Sequence, residues 1–174
     1  MHLNPYGRDA VLLAVDLVNR PAATSAELEE RCRAAGLVVE RPAVTRDLEA
    51  TREYLRRWVA VVDAVVPHER AEVLNALLAA SSAHPRLTDH TGTGWHIHYR
   101  DDDMTLAGLL RSLVSVGTAL HLTGRGMHRL ARCAAGGCAD VFADVSRTGR
   151  QRYCTPGCAN RHAVRRHRAR ASPV

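Results

Sequence analysis

The spacing of apolar residues predicts a chain that is mainly helical up to about residue 124. In four segments, apolar side chains recur every three or four positions, which is typical of helices with one buried face. These helices are predicted over residues 24–36, 45–67, 68–83 and 103–124. Thr24 and Asp103 are the predicted N-caps of the first and the last. The run 8–19 fits either a strand or a buried helix, so its type stays open.

An alternating pattern interrupts the helices. Trp95, Ile97 and Tyr99 alternate with His96 and His98 after the glycine-containing stretch 91–94, which predicts a β-hairpin over roughly residues 86–100. His96 and His98 share one strand face close to Asp101, Asp102 and Asp103, so a second metal site is one hypothesis. A polar strand face followed by a helix cap is the simpler interpretation.

Beyond Gly124 the pattern changes to short apolar groups. Val141, Phe142 and Val145 precede residues 147–150, and Tyr153 follows them, which predicts a hairpin that turns at Arg147-Thr148-Gly149-Arg150. Thr155-Pro156 then supplies an N-cap and a proline suited to the first helical position. A C-terminal helix is therefore predicted, with Cys158 in its first turn.

Four of the five cysteines form two close pairs. Cys133 and Cys138 are separated by four residues, Cys154 and Cys158 by three, and fifteen residues lie between the pairs. Thiols grouped in this way predict a tetrahedral four-thiolate zinc site, with one structural Zn²⁺ per chain. Four protein ligands leave no coordination position for substrate, so we expect no catalysis at this metal. Cys32 lies on an apolar helix face and is predicted to be an ordinary buried cysteine.

The positive charge is concentrated at one end of the sequence. Residues 125–170 contain eleven arginines against Asp140 and Asp144, a balance of +9, whereas the whole chain carries +6. Such asymmetry indicates a polyanionic partner. The predicted nucleic-acid contacts lie between the cysteine pairs and on the C-terminal helix: Arg147, Arg150, Arg152, Arg161, Arg165, Arg166, Arg168 and Arg170. A solvated basic face is the alternative. No apolar run reaches the length of a membrane span and no secretory signal is evident, so we expect a cytoplasmic protein.

Three motifs in the cysteine-rich segment resemble the bacterial CGNR zinc-finger family. They are Phe142-x-Asp144-x-Ser146, Arg152-Tyr153-Cys154 and Cys158-Ala159-Asn160-Arg161, where Ala159 replaces the glycine of the family name. Residues 13–19 are similar to the opening motif of the helical ABATE-type domain that precedes this finger. The resemblance implies a helical domain over 1–124 and a treble-clef-like four-cysteine finger over 125–174. Family members are described as candidate stress-related transcription regulators.

Together these features predict a DNA-binding transcription regulator that is not an enzyme. The alternatives are a protein adaptor with an acidic partner, an RNA-binding protein, and a metal-dependent enzyme built on His96 and His98. Asn160 is expected to brace the zinc site by hydrogen bonding. Asp16 and Asn19 are candidates for lining an effector pocket, although local capping explains them equally well. We also expect dimerisation through the helical domain.

Overall fold

The computed structural model describes residues 5–89, 95–101 and 103–171. Within these ranges the chain forms helices and two small antiparallel hairpins. The helices are α1 (Pro5–Asn19), α2 (Ser25–Ala34), α3 (Thr45–Asp63), α4 (Pro67–Ser81), α5 (Leu106–Arg125) and α6 (Pro156–Ala171). The strands are β1 (Arg86–Thr88), β2 (His96–His98), β3 (Leu130–Arg132) and β4 (Val141–Ala143). The predicted mainly helical fold with a small β component is confirmed.

The apolar core surrounds α5, which packs against α1, α3 and α4. Helices α1 and α5 approach closely because Gly117 has no side chain: a Cβ there would lie 2.8 Å from the Cβ of Ala10. Trp58 is fully buried, and its Nε1 donates a hydrogen bond to Thr118 Oγ1 (2.9 Å). Among the described residues, α5 is the one helix long and apolar enough to cross a membrane, but 61% of its most apolar window is buried, as in a core helix.

The ambiguous run 8–19 belongs to helix α1. Thr24 is the N-cap of α2, as predicted, since its side chain accepts a hydrogen bond from Glu27 N (3.1 Å). The predicted cap of α5 is wrong, because Thr105 and not Asp103 accepts from the first turn, at Gly108 N (3.2 Å). Asp103 has a φ of 61° and instead forms an ion pair with Arg41.

Both hairpins are antiparallel, but only one matches its predicted position. Leu87 pairs with Ile97 in β1–β2, within the predicted range 86–100. The hairpin predicted around residues 147–150 is wrong: β4 pairs with β3, with Ala131 opposite Phe142. The cysteine loop 133–138 brings these two strands together, and residues 146–151 form a separate loop. The domain boundary predicted between residues 124 and 125 stays a prediction.

Candidate metal centre and basic surface

The first cysteine pair lies in the connection between β3 and β4. Cys133 N donates to Asp140 O (2.8 Å), which extends the pairing of the strands by one step. Cys138 N donates to Ala135 O (3.0 Å), and Gly137 has a φ of 81°, which favours glycine. This tight turn directs the sulfur atoms of Cys133 and Cys138 toward the same point.

The second pair lies at the start of α6. Thr155 Oγ1 accepts a hydrogen bond from Cys158 N (3.2 Å), so Thr155 caps the helix and Pro156 occupies its first position, as predicted. Cys154 N donates to Cys133 Sγ (3.4 Å), which joins the two pairs. Hydrogen bonds to the Thr155 hydroxyl and to the neighbouring cysteine thiols lower the pKa of the Cys158 thiol to about 7, which favours the thiolate that a metal requires.

The four sulfur atoms have the spacing of a tetrahedral zinc site. All lie within 4.8 Å of one another. The sulfur of Cys154 is 3.7 Å from that of Cys138 and 3.5 Å from that of Cys158, and Cys158 and Cys138 are 3.8 Å apart. A Zn–S distance of about 2.3 Å predicts sulfur separations of about 3.8 Å in a tetrahedron. The cysteines are thus positioned to bind one metal ion, consistent with structural Zn²⁺.

Strands β3 and β4 belong to the main core. Leu130 and Val141 are fully buried among residues of the N-terminal helices. Asn19, at the end of α1, makes a two-way contact with β4: its Nδ2 donates to Val141 O (2.9 Å) and its Oδ1 accepts from Val141 N (2.8 Å). The side-chain amide of Asn19 therefore makes the pair of backbone hydrogen bonds with β4 that a neighbouring strand would otherwise make.

Two arginine side chains add further links, one between the hairpin and α3 and the other between the helices and the segment that leads into β3. Arg132 forms an ion pair with Asp63 of α3, with Nη2 at 2.9 Å from Oδ2. The buried guanidinium of Arg70 donates to the carbonyls of Val62 (3.0 Å), Ala64 (2.7 Å) and Met127. Sequence reasoning missed Arg70, because nothing in its helical context marks an arginine as buried.

Asp16 and Asn19, predicted to line an effector pocket, both have partners within the chain. Asp16 pairs with Arg20 and Arg31, with Arg31 Nε at 3.0 Å from Oδ2. Neither residue lines the cavity bounded by residues 82–86 or the one bounded by residues 38–41. The effector pocket stays a prediction.

Asp144 organises the loop that carries Arg147 and Arg150. Its carboxylate is buried and accepts from Ser146 N (2.9 Å), Ser146 Oγ (2.6 Å) and Gln151 N (3.0 Å). Burial opposes ionisation, but the hydrogen bonds and the charge of Arg129 outweigh it and lower the pKa of Asp144. Sequence reasoning noted Asp144 only within a motif and missed this role.

The predicted arginines fall into two groups. Arg161 and Arg165 point back at the finger: Arg161 Nη2 donates to Cys158 Sγ (2.7 Å) and Arg165 Nη1 donates to Gly136 O (2.7 Å). All eight of these arginines are exposed, and the remaining six are Arg147, Arg150, Arg152, Arg166, Arg168 and Arg170. Asn160 is also exposed, and its side chain makes no hydrogen bond to the described residues, so its bracing role stays a prediction.

The alternative metal site at the first hairpin is only partly within the described structure. The side chain of His96 and all of Asp102 lie outside it, and Asp103 pairs with Arg41. Among the described residues, the four cysteines form the one group of three or more potential ligands close enough to share an ion.

The fold and the site define a helical protein joined to a four-cysteine zinc finger. The CGNR zinc finger model matches residues 129–171, and the ABATE model, described as "Putative stress-induced transcription regulator", matches residues 12–145. The chain belongs to the ABATE family and carries a CGNR zinc finger. The matches overlap over residues 129–145, which include the β3–β4 hairpin. A search of curated proteins finds no match.

Proposed function

We propose that this protein is a DNA-binding transcription regulator whose loop 146–151 and helix α6 form the contact surface. The observation that carries the proposal is a set of six exposed arginines in residues 147–152 and α6, two segments that adjoin the cysteine ligands in sequence: Arg147, Arg150, Arg152, Arg166, Arg168 and Arg170. No aspartate or glutamate occurs after Asp144, so the sequence of this segment is strongly basic.

Guanidinium groups bind phosphate through paired N–H donors, and each neutralised phosphate releases counterions. Six arginines of this kind provide strong binding at low salt, which weakens steeply as salt rises. Helix α6 has 16 residues and thus a length of about 24 Å, enough to lie in a major groove. Asp144 supports the proposal because it fixes the loop that carries Arg147 and Arg150.

A salt titration of duplex DNA binding by the intact zinc-loaded protein tests the proposal. Replacing Arg166 and Arg168 by alanine is expected to lower affinity at least tenfold at about 50 mM salt and to make the salt slope shallower by about two units. The matched control is Arg46→Ala. Arg46 is exposed and lies at the start of α3, whereas the residue of α3 that contacts the finger, Asp63, lies at its end. Negligible binding of the unmodified protein at this salt concentration would reject DNA as the partner.

The same basic surface would also suit an acidic protein or RNA. An adaptor would bind a polyglutamate peptide in preference to duplex DNA, and competition between the two ligands separates these functions. For RNA, aromatic stacking platforms are scarce: the ring of Tyr153 packs against His162 with centroids 5.4 Å apart. A single-stranded RNA competitor that displaces duplex DNA at equal concentration would favour RNA.

The family matches are to a regulator and a zinc finger rather than to enzymes. Our proposal that the protein is not an enzyme predicts one zinc per chain, lost in Cys154→Ala and retained in His96→Ala. A second metal equivalent that depends on His96 would favour the enzyme alternative.

One finger offers a small contact area, so we propose that specific binding uses a homodimer formed through the N-terminal helices. Light scattering of the full-length protein measures this directly, and a monomer at micromolar concentration would contradict it. As a bacterial transcription regulator, the protein would act in the cytoplasm. Binding of an effector near Asp16 and Asn19 is a further proposal, for which Asp16→Asn is the first variant to assay.

A further inference from the structure

The metal centre concentrates negative charge in a small space. A zinc ion with four thiolate ligands carries a net charge of about −2. Asp140 adds a carboxylate whose Oδ2 lies 3.3 Å from Cys154 Sγ. Cys133 and Cys158 are buried, so water can compensate this charge only in part. The site needs a cation or several N–H donors close to the sulfur atoms.

Arg161 is the cation in contact with a sulfur atom. It follows Cys158 by three positions on α6, so the two side chains share one helix face, and long side chains on a helix lean toward its N-terminus. The Nη2 atom of Arg161 lies 2.7 Å from Cys158 Sγ. A charged N–H donor therefore meets a thiolate that is only 2% exposed.

Arg165 makes a related contact one turn later. Its Nη1 donates to Gly136 O (2.7 Å), inside the loop between Cys133 and Cys138. Arg161 thus contacts a ligand sulfur of its own helix, whereas Arg165 joins α6 to the backbone of the first cysteine loop. Arg166 is exposed like Arg161 and Arg165, but it makes no hydrogen bond or ion pair to any described residue.

We propose that Arg161 is a positioning residue of the zinc centre, which balances the charge of the thiolates and donates an N–H···S hydrogen bond to Cys158, and is not a phosphate contact. Hydrogen bonds to ligand atoms orient them and tune metal affinity. This role does not depend on DNA binding. It distinguishes Arg161 from the other arginines of α6, although all of them are exposed.

The test compares Arg161→Gln with Arg166→Gln in the full-length protein. In Arg161→Gln, transfer of Zn²⁺ to a coloured chelator is expected to be at least roughly tenfold faster than in the unmodified protein. Loaded with Co²⁺, the same variant is expected to show its sulfur-to-metal charge-transfer band at longer wavelength, because a thiolate that has lost its positively charged donor holds its electrons less tightly. A loss of packing alone would not shift this band. Arg166→Gln is expected to leave both readouts unchanged.

Arg161→Lys is the second variant, because an ammonium group retains the charge and N–H donors. Its zinc transfer rate and band position are expected to lie between those of the unmodified protein and Arg161→Gln. If Arg161→Gln keeps the original rate and spectrum, the proposal is wrong. A flatter salt dependence of DNA binding in that variant would then assign Arg161 to phosphate contact. The zinc readouts decide the matter even if the protein binds no DNA.

Discussion

The two halves of the zinc finger are stabilised by different means. Strands β3 and β4 supply Leu130 and Val141 to the main core and are hydrogen bonded to Asn19. In α6, Cys158 is the one fully buried side chain among those described, and it belongs to a small separate cluster made mostly of cysteines. The first half therefore packs into the main core, and we expect the second half to depend on the metal.

This difference teaches that the finger is not a self-contained module. One partner of the metal is a strand pair that already packs in the core. The other is a helix with almost no apolar surface of its own, and the metal joins the two. An isolated helix of 16 residues is marginal in water. Asn19 of α1 and Asp63 of α3 also contact β4 and β3, the two strands that flank the first cysteine loop.

Removal of zinc should have the largest effect on structure, and this effect should be confined to the half of the finger that contains α6. We expect chelation, or Cys154→Ser, to release α6, because structural zinc supplies on the order of 10 kcal/mol of binding free energy in small fingers. Amide hydrogen exchange should then become fast in α6 while β3, β4 and α5 stay protected. Added zinc restores protection in the unmodified protein, which is the control. Equal loss of protection in β4 would contradict the division.

Truncation of one apolar side chain in each half should show the next largest contrast. Leu130 is fully buried in the main core, so Leu130→Ala is expected to lower the free energy of unfolding by about 2–5 kcal/mol. Val164 on α6 is 49% exposed, and Val164→Ala is expected to change the free energy of unfolding by less than about 0.5 kcal/mol. Urea denaturation of zinc-loaded protein measures both. Similar losses would show that α6 also packs on a core.

The Asn19 contact can be tested in the same way. Asn19→Ala removes one donor and one acceptor and leaves the peptide groups of Val141 unpaired, so a loss of about 1–3 kcal/mol is expected. The matched control is Asn160→Ala, which is expected to be neutral for stability because Asn160 is exposed. A neutral Asn19→Ala would mean that water replaces both hydrogen bonds. Faster zinc release from Asn160→Ala would support its predicted bracing role.

The cysteine spacing was informative because a zinc ion restricts its ligands to a few geometries, which leave a local sequence signature. The caps of α2 and α6 were predictable for the same reason, since each depends on residues three positions apart. The type of α1 was not, because this helix is buried on two sides, against α5 and β4, and its apolar residues mimic alternation. The contact of Asn19 with Val141 spans 122 positions, and no local pattern encodes it.

The β3–β4 pairing escaped prediction because each strand has three residues, too few for a clear alternation. The apolar residues 141–145 and Tyr153 suggested a hairpin around 147–150. In the structure, the carboxylate of Asp144 satisfies the backbone N–H groups of that loop, so it needs no partner strand. The expected cap at Asp103 failed because an equally suitable side chain, Thr105, lies two residues later.

The smallest expected effect concerns His121 on α5, where the helical domain meets β3. Its Nε2 contacts Arg129 O (3.2 Å), and its buried Nδ1 has no hydrogen-bond partner among the described residues. Burial lowers the pKa of His121, and the positive charges of Arg125 and Arg129 lower it further. The hydrogen bond to the backbone of Arg129 and the negative charge of Asp144 raise the pKa, but only in part. In the unfolded chain a histidine has its ordinary pKa of about 6.5, so below that pH the unfolded chain binds more protons at this residue than the folded protein does. Stability from this group is present above that pH and is lost as pH falls.

Between pH 7.5 and 6.0 the loss due to His121 should reach at most about 0.8 kcal/mol. His121→Gln should flatten the dependence of the unfolding free energy on pH over this interval, measured by urea denaturation with zinc in excess. His167→Gln, on the exposed α6, should leave the dependence as it is in the unmodified protein. If both variants give the same pH profile, the junction at β3 is open to solvent. The β3–β4 half of the finger would then pack less tightly on the main core than its contacts indicate.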